Sequence, residues 1–368
     1  DKEYNAMNII SLLSSRWFPY QLKKNDSLDN LAFGVFLLRT AAVFLTNDVL
    51  FPVSYMPDQV GYVKCSMLWR GLDDGGWCVQ RTSANVKTAS AILGSFPLPF
   101  IISVRSLGLI NIQLVVLFYL WLEQKRFLSP ASKVFFLLYP SFALYSALAM
   151  RDTLIFIFMF FVLYQWFEGR WRWLALAWLW PLMLIKPQNA LLAAVPILFQ
   201  LVAGESRKRL IAATSVAFVA GIVGLLKLGM LDQLNKHRRS FYAEDGGIGS
   251  PPLLTADLSL PFSFLNGALG FLLNPLPWAA GMGFQFIQSL ENIFMLGLCV
   301  VWWRRKALPH HVNNVVALKV FMVASFVLYG IVIFNYGTAA RYRFPFVLLF
   351  ILFADHMTEP RPKKVDAA

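Results

Sequence analysis

The chain has 368 residues, of which 58% are hydrophobic and only 14% charged, and its mean hydropathy is +0.57. That balance excludes a water-soluble domain of this length and predicts an all-α polytopic membrane helical bundle. The formal net charge of +13 does not point to nucleic acid, because Lys and Arg fall in short clusters between apolar runs.

Residues 1–30 are expected at the cytoplasmic surface, where residues 8–20 mix apolar and polar side chains ahead of Lys23 and Lys24, as in a short interfacial helix. No segment with a small-residue cleavage site is visible, so the first span is expected to act as its own insertion signal. That span falls near 31–52, with Arg39 inside it. A first outer loop, 53–106, includes an apolar piece at 89–104 that Pro97 and Pro99 interrupt, and it is read as interfacial. Further spans are expected near 107–123, 133–149, 153–168, 173–186, 190–203 and 210–229. A second outer loop, 230–284, holds Gly246-Gly247, Pro251-Pro252 and Pro275-Leu-Pro277-Trp278. The last spans are expected near 285–303, 316–335 and 344–357, ahead of a basic tail at 358–368. The reading is one transmembrane domain of about ten helices with two long outer loops carrying short interfacial helices.

The basic clusters at 16/23/24, 125–126, 170–172, 207–209, 304–306 and 361–364 occupy every second boundary. The positive-inside rule puts them, and both termini, in the cytoplasm. Ionisable residues then collect on the opposite face, at Asp58, Arg151-Asp152, Lys186-Pro-Gln-Asn189 and Arg341-Tyr-Arg343. Positive charge on the outer face calls for a partner, and one anionic ligand at the interface would supply it.

Each candidate has a plainer reading beside it. Asp58 follows Pro57 after the first span and is either an ionised acid at a helix start or an N-cap. Arg151-Asp152 is either functional or a local ion pair, and Lys186 either a ligand or an interfacial anchor. Arg341 and Arg343 either snorkel to headgroups or grip an anion such as a lipid phosphate. Cys65 and Cys78, in the first outer loop, are either a disulfide or two unrelated thiols. Arg39 and Glu291 lie within spans, where ionisable side chains face the bundle interior. His237-Arg238-Arg239 is either a contact to a sugar phosphate or, the preferred reading, a solvated charge run. His310-His311 lacks the neighbours of a metal site, and Cys299 reads as packing. Tyr62, Trp77 and Trp278 are either sugar-stacking or belt aromatics. There is no Walker loop, dinucleotide fingerprint or zinc motif, and no internal repeat of the kind transporters use.

The pattern Pro57-Asp58-x-x-Gly61-Tyr62-x-x-x-Ser66-x-x-x-x-Gly71 after the first span resembles the first outer loop of membrane glycosyltransferases of the C-type fold. Pro140-Ser141 ahead of Arg151-Asp152, Asn274-Pro-Leu-Pro-Trp278 with Glu291 beyond it, and Gly337-x-x-x-Arg341-Tyr-Arg343-x-Pro345 are similar to features of bacterial polysaccharide-assembly membrane proteins, including O-antigen polymerases. The chain departs from the better-defined glycosyltransferases in having no second acid close to Asp58 in sequence, and no large soluble domain is expected after the last span.

The resemblance implies a bacterial inner-membrane enzyme working at the periplasmic face on polyprenyl-phosphate-linked sugars and a glycan acceptor, in assembly of a surface polysaccharide such as lipopolysaccharide O-antigen. Asp58 would be the catalytic base. Arg151, Lys186, Arg341 and Arg343 would hold the donor phosphate, with Tyr62, Asp152, Gln188, Asn189, Tyr342 and Glu291 in support. No metal ligand set is assigned, although a divalent cation on the phosphate is compatible with these residues. The alternatives are a polymerase joining undecaprenyl-pyrophosphate-linked repeat units and a flippase for the same lipid.

Overall fold

The computed structural model describes residues 26–47, 49–51, 56–97, 101–203, 230–244, 253–255, 257, 259–281, 283–333 and 336–358. The expected surface helix at 8–20, the span at 210–229, the 207–209 cluster, Gly246-Gly247, Pro251-Pro252 and the basic tail lie outside them. Among the described residues every regular element is helical, and the Asn47–Phe51 pairing is an isolated bridge.

Helix α1 covers Asp26–Thr46. Three short helices of the first outer loop follow: α2 (Asp58–Trp69), α3 (Gly76–Arg81) and α4 (Ala84–Gly94). Then come α5 (Val104–Gln124), α6 (Pro130–Leu138), α7 (Pro140–Ala147), α8 (Asp152–Phe167), α9 (Leu174–Ile185) and α10 (Pro187–Ala203). The chain continues through α11 (Met230–Glu244), α12 (Leu260–Leu273), α13 (Phe284–Arg304), α14 (Val312–Val332) and α15 (Tyr336–Thr358). Among the described residues four stretches, Val104–Gln124, Gln285–Arg304, Pro309–Val332 and Tyr336–Thr358, are long and apolar enough to cross a membrane, and the bent pair α7–α8 would make a fifth.

Three boundaries differ from the sequence reading. The span expected at 133–149 is two helices, because Pro140 forces Tyr139 into an extended conformation (ψ 111°). The break between α7 and α8, whose axes differ by 119°, falls where the sequence reading ends one span and begins the next. The stretch 230–284, read as an outer loop with short interfacial helices, contains α12, apolar along 14 residues, which packs on α14 backbone to backbone rather than lying at an interface. A methyl group at Gly267 would stand 2.7 Å from the Gly330 carbonyl oxygen, so only glycine fits this crossing. Finally, Arg341-Tyr342-Arg343 is not a turn between spans but part of the early turns of α15.

Helix α15 is apolar on all sides and occupies the centre: from Phe344 to Asp355 every side chain is buried. It is covered by α7, α8, α13 and α14. By contrast, α1, α9, α10 and α13 expose Leu37, Leu38, Trp180, Leu184, Leu198, Leu201, Ile287 and Phe294. Apolar faces of this extent belong against lipid rather than water.

Candidate functional site

Four elements meet at one end of the bundle: the start of α2, the start of α8, the end of α9 and the early turns of α15. The interior breaks are what bring them together. Residues 148–151, between α7 and α8, cannot pair their backbone groups helically. Asn111 of α5 donates to the Leu148 and Met150 carbonyls at 2.7 and 2.8 Å, and the Ala149 N–H donates to Gln59 Oε1 at 2.8 Å. Both side chains are buried, so the turn carries satisfied backbone into the interior. A methyl at Gly108 would meet the Ala147 carbonyl oxygen at 2.5 Å, which lets α5 approach close enough for Asn111 to reach.

That turn delivers Arg151 and Asp152. They do not pair with each other: Arg151 Nη1 donates to the Ile185 carbonyl at 2.8 Å, tying the start of α8 to the end of α9. Asp152, at the start of α8, accepts from Arg341 Nε at 2.8 Å, and its side chain is only 3% exposed. The same guanidinium reaches Asp58, with Nη1 3.3 Å from Oδ2, and there the carboxylate is 64% exposed. Asp58 is therefore the first residue of α2, not its cap; Pro57 holds the cap position without a side-chain bond. A second acid does stand close to Asp58. It comes from a position 94 residues on in the sequence, across Arg341.

Lys186 follows α9 and is buried, with its ammonium 4.1 Å from the centre of the Tyr342 ring. Tyr342 and Tyr329 pack with ring centres 5.2 Å apart, and Tyr329 donates its hydroxyl to Asn189. Asn189 also donates to Met159 Sδ at 3.2 Å, so it braces Tyr329 inside the bundle. Tyr62 is buried in the field of Arg151, Arg341, Asp152 and Asp58. Burial drives its phenol pKa up against the two arginines, so it remains a neutral hydroxyl, and it is not available for stacking on a sugar. Gln188 is exposed beside this end, and Trp278 is 81% exposed elsewhere.

Two expected members lie apart. Arg343 points inward and is 1% exposed; Nη1 donates to the Phe271 and Leu272 carbonyls, both at 2.7 Å, and Nη2 donates to Asn292. Asn292 in turn donates to the Leu273 and Asn274 carbonyls at 3.1 and 2.8 Å. The pair satisfies the carbonyl end of α12, and the Arg343 guanidinium faces the interior rather than the Arg341 cluster. Glu291 engages Ser141 near the start of α7, away from Arg341. Arg39 does not pair with it: Nη2 donates to the Phe136 and Leu137 carbonyls at the α6–α7 break, at 2.9 and 2.8 Å.

The first outer loop is stapled behind Asp58. Cys65 and Cys78 form a disulfide, Lys64 pairs with Asp73 at 3.1 Å, and Arg70 donates to the Gly94 carbonyl at 2.7 Å. The backbone N–H of Gly75 and the Lys64 ammonium hold the Asp73 carboxyl below its usual range. Arg238 of the supposed charge run is buried and donates to the Ile331 carbonyl, whereas His237 and Arg239 are exposed. Among the described residues no group of three or more His, Cys, Asp or Glu side chains is placed to hold a metal ion.

Comparison with protein-family models, with curated proteins and with solved structures returns no match. The chemistry must therefore be argued from the cluster itself. Arg151, Lys186 and Arg341 bring three cations and Asp58 and Asp152 two carboxylates, a formal excess of one positive charge at the rim of an apolar bundle. Such a set can bind an anion and, through the exposed Asp58, accept a proton.

Proposed function

We propose that the chain is a membrane glycosyltransferase that takes a sugar from a polyprenyl-phosphate donor at the periplasmic face of a bacterial inner membrane, in assembly of a cell-surface polysaccharide. In this reading about ten spans keep both termini in the cytoplasm and turn the Asp58 end outward. The observation that carries it is the shared guanidinium of Arg341, which sets an exposed acid beside a cluster of cations. The loop disulfide supports an oxidising compartment on that side.

The acceptor hydroxyl gives its proton to the Asp58 carboxylate as its oxygen forms a bond to the anomeric carbon. The bond from that carbon to the phosphate oxygen breaks, and polyprenyl phosphate leaves with the electron pair. Arg341, Arg151 and Lys186 stabilise the charge that gathers on the leaving oxygen. The uncharged Tyr62 hydroxyl adds a hydrogen-bonding group beside them.

The test is the surface polysaccharide of a deletion strain carrying wild type, Asp58→Asn or Arg341→Ala. Loss of one sugar from the repeat with chain lengths retained, restored by wild type and by neither variant, is the expected result. Loss of an acid of this kind lowers the rate by about 10²–10⁴-fold. Collapse of a long ladder to single repeats would instead make the chain a polymerase. Variants that behave as wild type would remove Asp58 and Arg341 from the chemistry.

A further inference from the structure

We propose that the Asp58–Arg341 ion pair is a resting latch that the donor's phosphate opens, so that the carboxylate reaches the acceptor only once the donor is in place. The inference rests on the glycosyltransferase reading above. Arg341 holds its two acids unequally. Asp152 takes Nε at 2.8 Å with a buried side chain, and α8 behind it is fixed by its neighbours. Asp58 takes Nη1 at 3.3 Å with a side chain 64% exposed. A long ion pair whose carboxylate faces water is weak and exchangeable. A phosphate matches the guanidinium with more than one oxygen and more negative charge than a lone carboxylate. It therefore displaces Asp58 and leaves Asp152 in place.

Among the described residues Arg341 is the charged partner of Asp58, so displacement leaves its carboxylate unpaired. Once released, the carboxylate oxygens are free to accept a hydrogen bond from the acceptor hydroxyl. The acceptor is thus activated only when the donor is seated, which protects the donor from wasteful attack by water. The latch exchanges one anion for another; no covalent bond changes in this step.

The experiment measures binding of undecaprenyl phosphate, which carries no sugar, to the full chain in lipid nanodiscs, with undecaprenol as control. Wild type, Asp58→Asn, Asp58→Ala and Arg341→Ala are compared. Asp58 is exposed, so both of its variants keep the melting temperature of wild type. Removing a competing exposed carboxylate tightens binding by about two- to five-fold in both Asp58 variants. Arg341→Ala weakens it by about ten-fold or more. Equal or weaker binding by the Asp58 variants overturns the latch and leaves the lipid-phosphate donor standing. Wild type that binds the phosphate no better than undecaprenol overturns both.

Discussion

Arg341 and Arg343 stand two residues apart and serve opposite ends of the problem. On a helix, two residues turn the side chain by about 200°, so one arginine meets the rim and the other the interior. The sequence shows two arginines flanked by apolar runs. It does not show that Tyr336–Thr358 is one helix, and without that the two cannot be told apart. Asp58, Arg151, Lys186 and Arg341 were legible, because charge is costly at an apolar boundary. Gln59, Asn111 and Tyr329 were not: neutral polar side chains carry no such signal until their partners are known. The roles of the two arginines separate experimentally. Arg343→Gln leaves carbonyls of α12 unpaired and costs about 2–4 kcal/mol of stability, read as a lower melting temperature with the donor affinity retained. Arg341→Lys keeps the charge, loses the fork that spans two acids, and retains the fold while the transfer proposed above falls.

At the level of elements, the breaks matter more than the helices. Pro140 marks one of them, inside the stretch read as a single span; the α7–α8 break has no proline and is legible through Arg151-Asp152, the charged pair at which one span was read to end and the next to begin. Its irregular backbone survives because Asn111 and Gln59 supply what water cannot. Asn111→Leu removes the side-chain donor from the Leu148 and Met150 carbonyls, of which Leu148 keeps the Met150 N–H, and we expect a loss of about 1–3 kcal/mol in detergent unfolding. The packing of helix α12 on α14 was hidden for another reason. Its 14 residues fall short of a span, so length alone filed it with the loops. The tight Gly267–Gly330 crossing gives it a place against α14, and Gly330→Leu should separate the two helices and abolish accumulation of the folded protein.

Across the whole molecule, charge divides between two ends. Opposite the Arg341 cluster, Glu168 lies 3.7 Å from His311 and 3.6 Å from His356, and Arg305 pairs at 3.2 Å with the buried Asp355. Burial opposes ionisation of Glu168, but the His356 and His311 imidazoles outweigh it and hold its carboxyl below the ordinary value of 4.5. A depressed carboxyl adds stability above its unfolded value and loses it as pH falls through the folded one. Melting temperature should therefore drop as pH passes below about 4.5, and Glu168→Gln should flatten that drop. The sidedness has its own test. A membrane-impermeant thiol reagent should label Trp278→Cys in spheroplasts and Arg304→Cys only after lysis; the reverse pattern would turn the molecule over.

The two ends also share two rods. Glu168 lies sixteen residues after Asp152 on the α8 segment, and His356 fifteen after Arg341 on α15. At 1.5 Å per residue both intervals are about 23 Å, and Asp152 meets Arg341 at one limit as Glu168 meets His356 at the other. A slide of one helix along its neighbour by a single turn, about 5.4 Å, would break both pairings together. The α8–α15 couple is thus a strut of fixed length. Any rearrangement of the bundle that keeps both pairings must leave the register of α8 against α15 unchanged.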